Sequence, residues 1–396
     1  MLFSFFTILL CLLLAAPCAS AQQPKLMARQ TDEYFMTASA LFLYAEKDEE
    51  PYFLETWRLV KQTLGEIEQA VSVSIPESDV ACFNAMPFGE EIEISPLTAD
   101  ILTIAKDVHA LSGGLYDPTV YPLVDLWGFS PRFNQHFYTP VMPYDRTYEN
   151  GLLPLPSASH IDALLPLVGL DGVALREENG KYYLKKNTPP VIIDGIAIQA
   201  QLDLGGIAKG YACDQVLALL RSRGHTMGHF VCGGSSMALL SRPQGDGTYA
   251  LTLYKPRPGQ NTGSHFATLR TRNVTLSTSA DYNHSFMSDG VLYCHIIDPR
   301  TGYPINMPNA DGLQQGISAA TLLYESAAYG DALTTVLCVL GHEEVATFLE
   351  QIPQSTAVLA LYQSGSDTYP VISNAVPDTL TIDDPAYQLV TGQRAP

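Results

Sequence analysis

Asp203-Leu204-Gly205-Gly206-Ile207-Ala208-Lys209-Gly210-Tyr211 is a strand end that runs into two glycines and then into a helix. Residues 196–202 before it have strand-like apolar density. Tyr211, Ala212, Val216, Leu219 and Leu220 after it share one side of a helix over 207–220, which Gly224 ends. Glycines at a helix entry let backbone N–H groups approach an anion, and the helix N-terminus adds a favourable field, so phosphate is the natural guest. A tight turn capped by Asp203 accounts for the same residues equally well. The stretch is not a Walker A loop, because Tyr211 follows Gly210 where lysine is needed, and it lacks the G-x-G-x-x-G order.

Outward from this turn the chain alternates strand and helix patterns. Residues 34–44 are apolar and aromatic and predict a strand or hairpin arm. Leu59, Val60, Leu64, Ile67 and Val71 predict a helix over 55–73; a loop follows with Pro76, Glu77, Ser78 and Asp79. A second helix is expected over 97–111, stopped by Gly113 and Gly114, and 131–160 reads as a long surface excursion or lid. Strands are expected at 182–184, 191–193, 196–202, 230–240, 249–254, 267–276 and 291–297. A third long helix is expected over 318–340, ending at Gly341, with a short one over 343–351. The segment beyond Ser364 is polar and contains proline, and it is read as a tail. The mixture fits an α+β or mixed α/β fold.

With 396 residues, 46% of them hydrophobic, the chain can bury a sizeable core in one large domain or two interleaved lobes. Twenty-two basic against 41 acidic side chains give a net charge of −19 with no Lys/Arg run, which argues against nucleic acid or an anionic membrane surface as partner. An anionic small ligand would need local help from backbone amides or a bound cation. Residues 2–16 are nearly all apolar, too short to span a bilayer comfortably but suited to a signal-peptide core, and Ala19-Ser20-Ala21 supplies a small-x-small cleavage site. Residues 1–21 are therefore expected to be a signal peptide, with the mature chain exported to the periplasm or cell surface. Cys18 also fits a lipoprotein signal, which would tether the chain to the membrane, but Pro17 stands where such signals want a small residue and favours plain cleavage. No later apolar stretch reads as a membrane helix. Cys82, Cys213, Cys232, Cys294 and Cys338 are odd in number and irregular in spacing, and neither a disulfide framework nor a structural zinc site is expected.

Three further constellations bear on chemistry. Gly233-Gly234 ends a strand and could bring backbone close to a ligand, although a plain turn explains it too. Asp331 and Thr335, four apart, share one helix face and offer hard oxygen donors that suit Mg²⁺; the alternative has Thr335 bonding back along the helix and Asp331 solvated. His295-Ile296-Ile297-Asp298-Pro299-Arg300-Thr301-Gly302-Tyr303-Pro304 is a strand running into a turn, which places a titratable base and a carboxylate near a strand end.

Six blocks occur in a familiar order: Ser78-Asp79 with Phe83-Asn84; Tyr116-Asp117-Pro118-Thr119-Val120 with Leu126-Trp127-Gly128-Phe129; the stretch 203–214; Ser277-Thr278-Ser279 with Asp281-Tyr282; the stretch 295–304; and Asp331-Ala332-Leu333-Thr334-Thr335. Over about residues 35–350 the sequence resembles the ApbE family of FAD:protein FMN transferases. The resemblance implies an α+β (mixed α/β), T-fold-related fold with mixed sheets and packed helices in two interleaved lobes, over residues 22–363, with 364–396 as a C-terminal tail. It implies Mg²⁺ on Asp331, Thr335 and the backbone carbonyl of Gly206. It also implies FAD as substrate, surrounded by Met36, Asn84, Asp203, Gly205, Gly206, Lys209, Thr278, Asp281 and His295. His295 and Asp298 fall in the motif tied to chemistry, without deciding which is the base.

The implied reaction moves FMN from FAD to a Thr or Ser hydroxyl of an acceptor flavoprotein, an extracytoplasmic redox-complex subunit or a flavin reductase, and releases AMP. An FAD pyrophosphatase, with water in place of the hydroxyl, and a non-catalytic extracytoplasmic FAD-binding protein stay open, although Asn84, Asp331 and Thr335 speak against the second. The chain departs from the family pattern where Thr37 follows Met36 directly, where Ala280 replaces a customary glycine, and where Ser235 stands in a position that is often acidic.

Overall fold

The computed structural model describes residues 25–45, 49–131, 155–256, 264–282, 284–376 and 378–391. The expected signal peptide, Cys18 and residues 132–154 of the expected 131–160 excursion lie outside the described residues. The centre of the fold is a nine-stranded sheet: β1 (Lys25–Tyr34), β2 (Thr37–Ala45), β3 (Gly228–Cys232), β4 (Ser236–Leu239), β5 (Thr275–Ala280), β6 (Gln315–Tyr324), β7 (Thr356–Gln363), β8 (Tyr369–Ser373) and β9 (Tyr387–Thr391). Neighbours in the sheet follow chain order. Every adjacent pair is antiparallel except β8 with β9, which is parallel, so the sheet is mixed as expected.

Helices cover one face: α1 (Glu50–Val71), α2 (Asp79–Ala85), α3 (Pro96–Leu111), α4 (Gly205–Ser222) and α5 (Ala327–Leu349). On α1 the buried stripe Phe53, Trp57, Val60, Leu64, Ile67 and Val71 has helical spacing and turns toward the core. α5 packs on β5, β6 and α4, and α4 packs on α1. A smaller sheet of Tyr249–Tyr254, His265–Thr271 and Leu380–Ile382 covers the other face. There Leu253, Phe266 and Leu269 pack with Leu276, Ala280, Leu323, Val358 and Val371 of the large sheet. A third apolar cluster joins distant parts of the chain, among them Leu123, Trp127, Ile161, Ile193, Tyr293 and Ile297.

Several expectations need correction. Residues 318–324, the first part of the expected third helix, belong to strand β6, and α5 begins only at Ala327 with Ser326 capping it. β6 lies between β5 and β7 and is buried along nearly its whole length. A continuous apolar run does not distinguish such a strand from a buried helix. The single expected strand 230–240 is a hairpin of β3 and β4, folded at Gly233 and Gly234, both with positive φ. The expected strand 267–276 likewise splits at Asn273, whose φ is +49°. The loop containing Ser78 is the start of α2, with the Ser78 hydroxyl accepting from Ala81 N at 2.9 Å. Beyond Ser364 the segment read as a tail supplies β8 and β9 to the large sheet and one strand to the small one. By length and composition α5 would pass for a membrane span, but more than half of its most apolar window is buried inside the protein. All five described cysteines are free thiols, consistent with the absence of a disulfide framework among them.

Two contacts fix α4 against α5. Asp214, on α4, accepts from Ser326 Oγ at 2.7 Å and from the backbone N–H groups of Ala327 at 2.7 Å and Ala328 at 2.9 Å, which places a carboxylate at the N-terminus of α5. Gly210 is the point of closest approach: a Cβ there would lie 2.1 Å from Ala327 O and 2.8 Å from Asp331 Cβ. Gly210→Ala is expected to push the helices apart and destabilise the protein by about 1–3 kcal/mol, read as a lower urea midpoint with unchanged slope. An unchanged midpoint would show that the helix pair gives way at no cost.

Candidate active site

The N-terminus of α4, α5 around Asp331 and Thr335, the end of β5 and the turn that follows strand Val291–Cys294 converge. Gly205 and Gly206 open α4. Asp203 Oδ1 accepts from Gly205 N at 2.7 Å, and Lys209 Nζ donates to Gly205 O at 3.0 Å. Gly206, in the first turn, has an N–H with no carbonyl one turn back to receive it, and the residue is exposed. Asp203 N donates to Pro118 O at 2.9 Å, which brings the Tyr116-Asp117-Pro118 block against the glycine turn.

From α5, Asp331 is buried, and its Oδ2 accepts from Gly210 N at 3.0 Å. Burial pushes the Asp331 carboxyl up in pKa, while the nearby Lys209 ammonium opposes that rise. Thr335 Oγ1 lies 4.0 Å from where a Cβ on Gly206 would sit, and 3.3 Å from Ser279 Oγ. Ser279 Oγ also meets Thr334 Oγ1 at 2.8 Å, and Thr334 Oγ1 donates to Asp331 O at 2.8 Å. Gly206, Asp331 and Thr335, expected as metal ligands, therefore come together. Among the described residues no group of three or more His, Cys, Asp or Glu forms a metal cage. The donor set on offer is one carboxylate, hydroxyl oxygens and backbone carbonyl, which fits a hard cation that keeps waters and takes phosphate oxygens.

His295 is the second centre. Its ring Nδ1 lies 3.2 Å from His284 O, so Nδ1 carries the proton and Nε2 keeps a free lone pair. Burial, with the neighbouring His284 ring, pushes the His295 pKa down to about 4. Lys209 bears electrostatically on His295, Asp203 and Asp331 alike and is the cation common to them.

Other expected residues are placed differently. Asp298 is committed to its own turn: it accepts from Arg300 N at 2.9 Å and pairs with the Arg300 guanidinium at 2.8 Å. Asn84 spends its amide on Leu202, donating to the carbonyl at 2.9 Å and accepting from N–H at 2.7 Å; it ties α2 to the approach to Asp203. The buried Lys186 ammonium, donating to Asn84 O at 3.1 Å and Met86 O at 2.7 Å, holds that end of α2. Thr278 does not join the cluster, since its hydroxyl meets Thr321 at 2.9 Å on the face away from α5. Its neighbour Ser279 faces α5 instead, which the period of two along a strand makes intelligible once α5 is seen to cover that face. Asp281 is buried, with Oδ2 accepting from Asn306 Nδ2 at 2.9 Å. Met36 lies 62% exposed in the β1–β2 turn, where it and Phe35 both adopt positive φ, and Thr37 beside it reaches the Gly233 backbone near Lys209. Ser279, His284 and Tyr116 are the residues that sequence reasoning did not single out for the site.

A family model described as the ApbE family matches residues 37–360. An FAD:protein FMN transferase of Vibrio cholerae is 27% identical over 296 residues, covering 74% of this chain and 76% of that protein. The protein of the same name in Escherichia coli strain K12 is 28% identical over 279 residues, covering 70% and 68%. Among solved structures, the apo form of Pseudomonas stutzeri flavinyl transferase ApbE superposes with a TM-score of 0.67 at 24% identity, covering 90% of this chain and 96% of that one. The ApbE protein of Thermotoga maritima does so with a TM-score of 0.65 at 23% identity, covering 85% and 94%. At these identities the structural likeness speaks for the fold.

Proposed function

The chain belongs to the ApbE family, and from that membership we propose that it is an FAD:protein FMN transferase acting at the cluster of Gly206, Lys209, His295, Asp331 and Thr335. The observation that carries the reading is the meeting of hard oxygen donors with an anion-accepting helix N-terminus, beside a histidine whose tautomer is fixed. A magnesium ion held by Asp331, Thr335 and the Gly206 carbonyl would supply positive charge at the pyrophosphate that this acidic chain otherwise lacks.

The chain's own groups account for the rest. The Gly206 N–H, the first-turn amide of α4 left without a carbonyl, and the Lys209 ammonium receive phosphate oxygens. His295 Nε2 takes the proton of an acceptor threonine or serine hydroxyl as its oxygen bonds to the FMN phosphorus. The P–O bond to AMP breaks, and AMP leaves with the electron pair. Asp203 holds the glycine turn, and the Asn84 clamp holds Leu202 just before it. The acceptor is proposed to be a flavoprotein outside the cytoplasm, in line with the apolar run 2–16 and Ala19-Ser20-Ala21; an exported chain beginning at Gln22 checks that placement.

Incubating the mature chain with FAD, Mg²⁺ and a candidate flavoprotein acceptor and following AMP by chromatography tests the chemistry. AMP release that stops on adding EDTA is expected. Tightly bound FAD with no AMP would replace the transferase with a flavin carrier.

A further inference from the structure

Tyr116 is 4% exposed, and its Oη has no hydrogen-bond partner among the described residues. Buried hydroxyls are nearly always paired, because the group has given up water and recovers nothing if left alone. The unpaired atom is aimed into the active site: a Cβ on Gly206 would lie 3.5 Å from Tyr116 Cε2 and 3.7 Å from Oη, with Thr335 Oγ1 4.0 Å from the same point. Asp117 and Pro118 set the backbone that carries it. The Asp117 carboxylate is tied to Thr119 N at 2.8 Å and to Leu170 N at 3.1 Å, and Pro118 O receives Asp203 N. The ring therefore has little freedom to turn its hydroxyl elsewhere. Burial and the surrounding Asp331, Asp203 and Asp117 keep the phenol protonated, so its O–H stays available to donate. A phenylalanine would fill the same space without a stranded polar atom.

We propose that Tyr116 contacts the substrate, its hydroxyl donating a hydrogen bond to a pyrophosphate oxygen of FAD as that group crosses the N-terminus of α4. The inference rests on the functional reading above and adds a residue to it. The hydroxyl is left unpaired in the free protein and finds its acceptor when substrate arrives, which exchanges stability of the empty site for affinity.

Tyr116→Phe separates these effects. With EDTA present to stop turnover, flavin fluorescence quenching reads FAD affinity, and a thermal melt without FAD reads the free protein. The expected result is a free-protein Tm equal to or above that of the unmodified chain, together with FAD affinity weakened about tenfold, the loss of one hydrogen bond to a charged group. Unchanged affinity would overturn the role of Tyr116 alone. A lower Tm would mean that the hydroxyl has a partner within the protein, and would overturn it as well. If the unmodified chain neither quenches FAD fluorescence nor releases AMP with Mg²⁺, the functional reading fails first and the Tyr116 contact falls with it.

Discussion

Asp331→Asn is expected to lower AMP release from FAD by about a thousandfold or more while leaving the fold intact. The asparagine keeps an oxygen in place for Gly210 N, so the close pairing of α4 and α5 persists. What it loses is the anion, the one full negative charge among the proposed magnesium donors, and several kcal/mol of electrostatic stabilisation go with it. Stability moves the other way. Burial holds the Asp331 carboxyl above its ordinary pKa, so the folded state binds its proton more tightly than the unfolded state does. That contribution is lost as pH rises from the ordinary carboxylate value through the raised one, and at neutral pH the ionised group is a cost. The variant's Tm at pH 7 is therefore expected to equal or exceed that of the unmodified chain, and turnover, not Tm, collapses. Full activity with unchanged dependence on Mg²⁺ would remove Asp331 from the metal site.

His295→Ala is expected to lower turnover by about 10²- to 10⁴-fold, the usual worth of a positioned base, while FAD affinity stays within about twofold. Equal losses in rate and affinity would make His295 a binding residue. The unmodified enzyme carries a second signature. With its pKa pushed down to about 4, His295 remains neutral and able to accept a proton well below pH 6.5. The acid limb of kcat/KM is expected near pH 4, well below the ordinary histidine value. The linkage sign is consistent: between pH 6.5 and about 4 the unfolded chain takes up this proton before the folded one, so His295 makes stability fall as pH drops through that window. An acid limb at the ordinary histidine value would show that His295 is not the group titrating in the rate.

The glycine turn and the face shared by Asp331 and Thr335 were legible in the sequence because each depends on local spacing: a strand-to-helix switch in one case and a four-residue helical repeat in the other. The different surroundings of His295 and Asp298 were not, since they come from Arg300 closing a local ion pair and from the His284 carbonyl across the 285–294 hairpin. Thr278 and Ser279 are adjacent and chemically alike, and only the position of α5 decides which faces the site. β6 was read as helix because a central strand buried on both faces loses the alternation that marks a strand. The segment beyond Ser364 is short and polar, and its pairing with strands far back in the chain leaves no local periodic signal. The stranded hydroxyl of Tyr116 is invisible in a sequence, because an unpaired atom is defined by everything that does not reach it.

The central claim is that FMN leaves FAD for a protein hydroxyl. Its most direct test is the intact mass of an extracytoplasmic flavoprotein acceptor after incubation with the mature chain, FAD and Mg²⁺. The predicted result is a gain of one FMN phosphoryl unit on a threonine or serine, with AMP released in equal amount and both lost with EDTA. AMP accompanied only by free FMN, with the acceptor mass unchanged, would contradict the transferase and leave a pyrophosphatase in its place.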